Sequence, residues 1–233
     1  VGAADNSPAL ATFDGTAGPW WSVGIAGLDV DGQGRELLSG TFPDFLAAFT
    51  QTLPYCTDCE TGLDIVSGTS FATPQAAGVA ASILLQTRAQ LGHVGGIVMG
   101  AQGPLMVRSG GREISVWQLR RALEQSAAQP ATTDYQPSSP TSLPILPVLP
   151  AVQTGWGVLV PDAASGVIAH GVALLTGAQV ADTTPAGICD VQSGLMQLRR
   201  NYWDRLDPLS PSYMNSPANF PVIGCGSPFE QLP

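Results

Sequence analysis

Residues Ser67 to Gly78 read SGTSFATPQAAG. They set Ser70 just after a glycine turn and ahead of a long run of small apolar residues. A serine at the start of a helix has chemistry available to it. The first-turn backbone N–H groups have no intrahelical acceptor and point outward, and the helix dipole favours negative charge at the same spot. When a serine attacks a carbonyl, an oxyanion forms beside it, and the serine's own N–H can donate to that oxygen. Gly68 permits close approach of backbone and substrate. The alternative is that Ser70 is simply a helix N-cap, a position where serine is favoured.

A nucleophilic serine needs a base to take its proton and an acid to orient that base. The two histidines, His93 and His170, both follow Ser70. His93 comes after the helix that Ser70 begins, whose far end is about 30 Å away at 1.5 Å per residue. His170 falls in a later apolar helix. Both read as structural or surface histidines. Asp5, Asp14, Asp29, Asp31, Asp44, Asp58 and Asp64 precede Ser70.

The four cysteines are Cys56, Cys59, Cys189 and Cys225. An even number in a loop-rich chain points to disulfides and an oxidising compartment. Two structural disulfides, local within each pair, are expected. The CTDC stretch could be half a zinc site, but no second Cys-x-x-Cys or paired histidines follow, so no metal is assigned. Asp58 and Glu60 would raise a thiol pKa, which opposes a redox role.

Of 233 residues, 44% are hydrophobic and 12% are charged, with a net charge of −9. That composition supports a sizeable core and excludes intrinsic disorder. The nine basic residues are all arginine and scattered, which is no nucleic-acid footprint. The most apolar stretch, Phe71 to Leu85, is interrupted by Thr73, Pro74, Gln75 and Ser82 and is shorter than the roughly 20 residues of a membrane span. The start at Val1, without methionine, reads as a processed product.

The elements that must position Ser70 follow from periodicity. VGAAD and WWSVGIAGLDV are strand-like, and DFLAAFTQTL reads as a short helix. A helix from Thr69 to Gly92 is apolar nearly all round and so should be buried. Pro74 is tolerable there if it falls in the first turn. GGIVMGAQGPLMVRSGG reads as loop and short hairpin. SVWQLRRALEQSA is a helix with a Ser115–Gln118 capping box, an apolar stripe of Val116, Leu119, Leu123 and Ala127, and an Arg120–Glu124 pair. Prolines 137, 140, 144, 147 and 150 exclude a helix in the 130–153 connection, a surface loop or a segment for a partner's groove. A strand-like run and a helix beginning near Asp162 follow. The tail has little periodicity.

SGTSFATPQAAGVAA resembles the nucleophile motif of the subtilisin-like serine proteases, the subtilases. Gly68, Thr69, Ser70, Ala72, Thr73, Pro74, Ala77 and Gly78 stand where that pattern puts them; Gln75 replaces a common, non-catalytic histidine. Weaker likenesses follow in order. VGAADNSPALATFDGTAG is similar to the strand and surface segment after the family's oxyanion asparagine, and WSVGIAGLDV to its "aPG" strand. SVWQLRRALEQSA and GWGVLVPDAAS are similar to its late helix and closing segment.

The resemblance implies an α/β fold, a mainly parallel sheet flanked by helices. Residues 1–177 would be the C-terminal part of a subtilase catalytic domain. Within it, 28–67 reads as an insertion with the Cys-x-x-Cys and 130–153 as a proline-rich loop; 178–233 is an irregular extension. Ser70 would form the acyl-enzyme, with Gly68, Thr69 and Pro74 supporting the motif and the Ser70 N–H serving the oxyanion. None of the seven aspartates lies in a stretch resembling the family's aspartate motif. The resemblance therefore implies an N-terminal companion chain, cut from the same precursor, that carries the aspartate, the histidine and the oxyanion asparagine. It implies a peptide or protein substrate, a secreted or periplasmic setting and, by family, a structural calcium ion; no cofactor is identified. Half of a parallel sheet would expose an edge and an apolar face, so stability should need the companion. The rival expectations are a non-catalytic scaffold or binding subunit on the same fold, and a processing protease that cuts one partner only.

Overall fold

The computed structural model describes residues 1–3, 22–30, 36–39, 43–54, 62–92, 96–100, 103–107, 112–128, 136–137, 154–161, 166–178, 180, 187–196 and 232. The fold is α/β. Strand β2 (Gly24–Val30) is its axis. One edge of β2 pairs in parallel with β4 (Phe45–Ala48). The other edge is shared by β1 (Gly2–Ala3), parallel, and β3 (Glu36–Ser39), antiparallel. A short β9 (Gln136–Pro137) lies beyond β3. On the far side of β4 the chain at 156–159 adds a further run. Leu46 donates to Gly157 O and accepts from Leu159 N–H, both at 2.8 Å.

Alternation along these strands builds two faces. Ile25, Phe45 and Ala47 point into the larger core, while Ala26 and Leu46 point to the opposite face with Val158. The larger core is closed by α1 (Thr69–Gln90) through Ala72, Ala76, Val79 and Ile83. Burying Val79 and Ile83 stabilises the fold by about 1.5–3 kcal/mol each. Helix α3 (Val167–Thr176) packs on α1 and on α2 (Val116–Ser126). At that crossing the Gly171 Cα faces Ile83 so closely that a methyl would stand 2.6 Å from its Cδ1.

Several expectations meet a different structure. DFLAAFTQTL is two strands, β4 and then β5 (Thr50–Leu53). Phe45, Leu46 and Ala47 are buried from both faces, and an apolar run of that kind imitates a buried helix. β5 pairs with β6 (Asp64–Ser67), so the 28–67 segment contributes β3 to β6. α1 is not buried all round: Pro74, Gly78, Ala81, Leu85 and Ala89 form one exposed stripe, with Leu85 68% exposed. Pro74 is the sixth helical residue, past the first turn, so it removes the N–H that would have met the Ser70 carbonyl. α3 begins at Val167.

The strand β1, the hairpin β7–β8 (Gly96–Gly100, Gly103–Val107) and the α2 capping box are as expected; in the box, Gln118 N–H donates to Ser115 Oγ at 3.0 Å. Val116, placed in the α2 stripe, is instead 76% exposed. In the tail, 188–196 are helical. Cys189 lies in that helix and is disulfide-bonded. Cys56, Cys59 and Cys225 lie outside the described residues, as does most of the proline-rich connection.

The expected Arg120–Glu124 pair forms, and it is buried. Arg120 donates to Asp44 Oδ1 at 2.7 Å and to Glu124 Oε1 at 3.0 Å. The second oxygen of Asp44 accepts the Gly24 N–H at 2.7 Å. Arg121 reaches Glu124 at 3.2 Å and lies over the Trp156 ring, 5.7 Å from its centroid. Burial works against the Arg120 charge, but Asp44 and Glu124 outweigh it and hold the guanidinium charged. Burial pushes the Glu124 carboxyl up, with the two arginines pulling against it.

Candidate functional site

The turn that carries Ser70 is anchored to the parallel sheet. Phe49, the first residue beyond β4, donates its N–H to Leu28 O of β2 at 2.8 Å and accepts the Gly68 N–H at 3.0 Å. Ser70 therefore sits at the edge where parallel β2 and β4 end. In open α/β sheets, the crevice outside the carboxyl ends of the strands is where ligands bind. Phe49 can lie there because Gly27 on β2 has no side chain; any Cβ at Gly27 would collide with the Phe49 ring.

Gly68, not Ser70, is the N-cap, with φ 152° and ψ 155°, and no side chain caps the helix. That backbone conformation is open to glycine almost alone. Ser70 is the second helical residue and its side chain is exposed. Phe71 and Ala72 direct their N–H groups back to Gly68 O at 3.0 and 3.3 Å. The Ser70 N–H is one of the first-turn donors for which a helix has no acceptor. The geometry thus offers an accessible hydroxyl and a backbone donor on one residue. Gly68→Ala is expected to cost about 1–3 kcal/mol through backbone strain, read as a lower urea midpoint of the folded assembly.

Three side chains brace the turn. Gln51 on β5 donates to Phe71 O at 2.5 Å. Gln75 donates to Ala48 O at 3.0 Å and to Phe71 O at 3.3 Å, tying the first turns of α1 to the end of β4. Gln75 thus fills its position in the motif as a tether. Thr73 Oγ1 bonds Thr69 O at 2.7 Å, inside the helix. On the other side of the turn, Thr50 Oγ1 donates to Asp29 Oδ2 at 2.6 Å and lies 2.8 Å from Ser67 Oγ.

No base is brought to Ser70 among the described residues. α1 is unbroken from Thr69 to Gln90, so Gly92 is about 30 Å from Ser70, and the chain cannot return in one residue. His93 itself lies outside the described residues. His170 adjoins Gly171, which faces Ile83, and Ile83 is 13 residues along α1 from Ser70, about 20 Å away. The His170 Nε2 is buried without a hydrogen-bond partner among the described residues. Asp44 precedes β4, at the end of the strand opposite Phe49, about 16 Å away at strand rise, and its carboxylate is committed to Arg120 and Gly24. Asp64 is exposed at the start of β6. Asp29 accepts a hydrogen bond from Thr50. Asp5, Asp14, Asp31 and Asp58 lie outside the described residues.

Gln51, Thr50 and the approach of Asp29 were not foreseen from the residues. No signal in the sequence marked them; the β5–β6 pairing that sets Thr50 opposite Ser67 is seen only in the fold. Among the described residues, no three His, Cys, Asp or Glu side chains gather as a metal would require. No described helix is long and apolar enough to cross a membrane. No family model, curated protein or solved structure matches the chain.

Proposed function

We propose that this chain is the nucleophile-bearing part of a secreted or periplasmic serine endopeptidase of subtilisin type. The observation that carries the proposal is the placement of Ser70. It is exposed, in the first turn of α1, on a glycine-only turn bonded to the carboxyl end of the parallel strands.

In the proposed reaction, a histidine from a companion chain takes the Ser70 proton, and an aspartate orients that histidine. Ser70 Oγ attacks the peptide carbonyl, and the Ser70 N–H stabilises the oxyanion. Collapse releases the amine, and water then hydrolyses the acyl-enzyme. Two observations support a companion. No base in the described chain reaches Ser70, and the exposed apolar stripe of α1 begins at Pro74, one turn from the nucleophile. The companion also supplies the second oxyanion donor, an asparagine amide.

The test is to treat the native, as-purified assembly with a fluorophosphonate and map the adduct by peptide mass spectrometry. Modification at Ser70 is expected. A folded sample containing the companion that stays unmodified overturns the proposal. That result would favour the scaffold reading, for which the missing base is the motivating observation.

A further inference from the structure

Resting on the assignment of Ser70 as nucleophile, we propose that Thr50 is a positioning residue, locking the strand end that feeds the Ser70 turn to the Asp29 carboxylate. The proton count gives this chain of bonds a direction. Asp29, when ionised, can only accept, so Thr50 must donate its single proton across the 2.6 Å contact. At the 2.8 Å contact the Thr50 oxygen is therefore the acceptor and Ser67 the donor. Each hydroxyl proton is committed, and the order Ser67 to Thr50 to Asp29 spans β6, β5 and β2.

The place of this link explains its effect. Thr50 and Ser67 face each other in the hairpin register, and Ser67 is the residue before Gly68. Gly68 has φ 152°, a conformation with little intrinsic preference to hold it. Two anchors flank that residue: its own N–H on Phe49 O and the Ser67 side chain on Thr50. Asp29 half-buries its carboxylate at the end of β2 that leads to the site. A hydrogen bond to an ionised acceptor is roughly twice as strong as a neutral one. The link thus fixes the chain entering α1 to the rigid sheet rather than to the hairpin alone. The hydroxyls touch no reacting atom; they act through the direction in which Ser70 is presented.

Thr50→Val keeps the shape and removes the link. In the native assembly it is expected to lower kcat on a peptide substrate, and the fluorophosphonate labelling rate at Ser70, by about 10- to 100-fold, the scale of a small misplacement of a reacting group. KM should change little, and Thr50→Ser should restore most of the rate. Ser67→Ala, at an exposed position, should show a smaller fall. Combined with Thr50→Val it should add nothing, since both break one chain of bonds.

Three results overturn the inference: Thr50→Val labelled at the wild-type rate, Thr50→Ser no faster than Thr50→Val, or Ser67→Ala and Thr50→Val additive. If Thr50→Val fails to fold, Thr50→Ser and Ser67→Ala still decide. Wild type labelled at Ser70 with the variants unaffected removes the positioning role alone. Wild type unlabelled removes the nucleophile assignment and, with it, this inference.

Discussion

Replacing Ser70 by alanine in the native assembly is expected to lower kcat for peptide hydrolysis by about 10⁶-fold, the magnitude associated with loss of a triad nucleophile. Stability should barely change. Ser70 is exposed, and it is not the residue that caps α1; substitutions of that kind normally stay within about 0.5 kcal/mol. Alanine is also the better helix former. The separation of the two effects is what makes the measurement decisive. A fall in rate with an unchanged denaturation midpoint places the chemistry on the Ser70 oxygen. Retention of more than about a tenth of the activity would remove Ser70 from a reaction in which nucleophile loss should be nearly total. Residual turnover above the uncatalysed rate is still expected, because the backbone donor remains and substrate binding is untouched.

The second large effect falls on stability, at the start of β4, whose far end holds the Ser70 turn. Arg120→Ala should cost about 3–5 kcal/mol, because it strands two carboxylates in the interior. Asp44 and Glu124 are each 2% exposed at the side chain, and Arg120 bonds both. Such a loss is a large part of the stability of an ordinary domain. Lysine should not rescue it: an ammonium is a point charge and lacks the fork that reaches two acceptors at once. The combination Arg120→Met, Asp44→Asn, Glu124→Gln should recover most of the loss, since it removes the charges together. Urea denaturation of the assembly reads all three. A cost below about 1 kcal/mol for Arg120→Ala would mean that water or a rearranged Arg121 takes over, and that the cluster is not the clamp between β2, β4 and α2 described above.

The two effects divide the labour along β4. Asp44 at its start is built into a buried ionic clamp. Phe49 past its end holds the Gly68 turn. The clamp keeps β2 and β4 in register, and that register sets where Leu28 and Phe49 meet, hence where the turn begins.

What the sequence determined by itself was local. The Ser115–Gln118 capping box could be read because its two bonds lie three residues apart. The start of α1 could be read because a glycine that adopts φ 152° and the helix it opens are adjacent. Ser70 could be singled out for the same reason: its neighbours in the chain are its neighbours in space. The tertiary structure decided everything that joins distant residues. Arg120 and Glu124 could be read as an i,i+4 pair, but only the packing of α2 onto the start of β4 brought in Asp44, 76 residues away. DFLAAFTQTL was compatible with a short helix until β2 and 156–159 took both edges of β4, since three consecutive buried apolar residues carry no period of their own. Thr50, Ser67 and Asp29 are unremarkable in sequence. They meet because the β5–β6 register sets Thr50 opposite Ser67, and the end of β2 reaches the same corner. Hydrogen-bond register and burial, not the type of any one residue, select such partners.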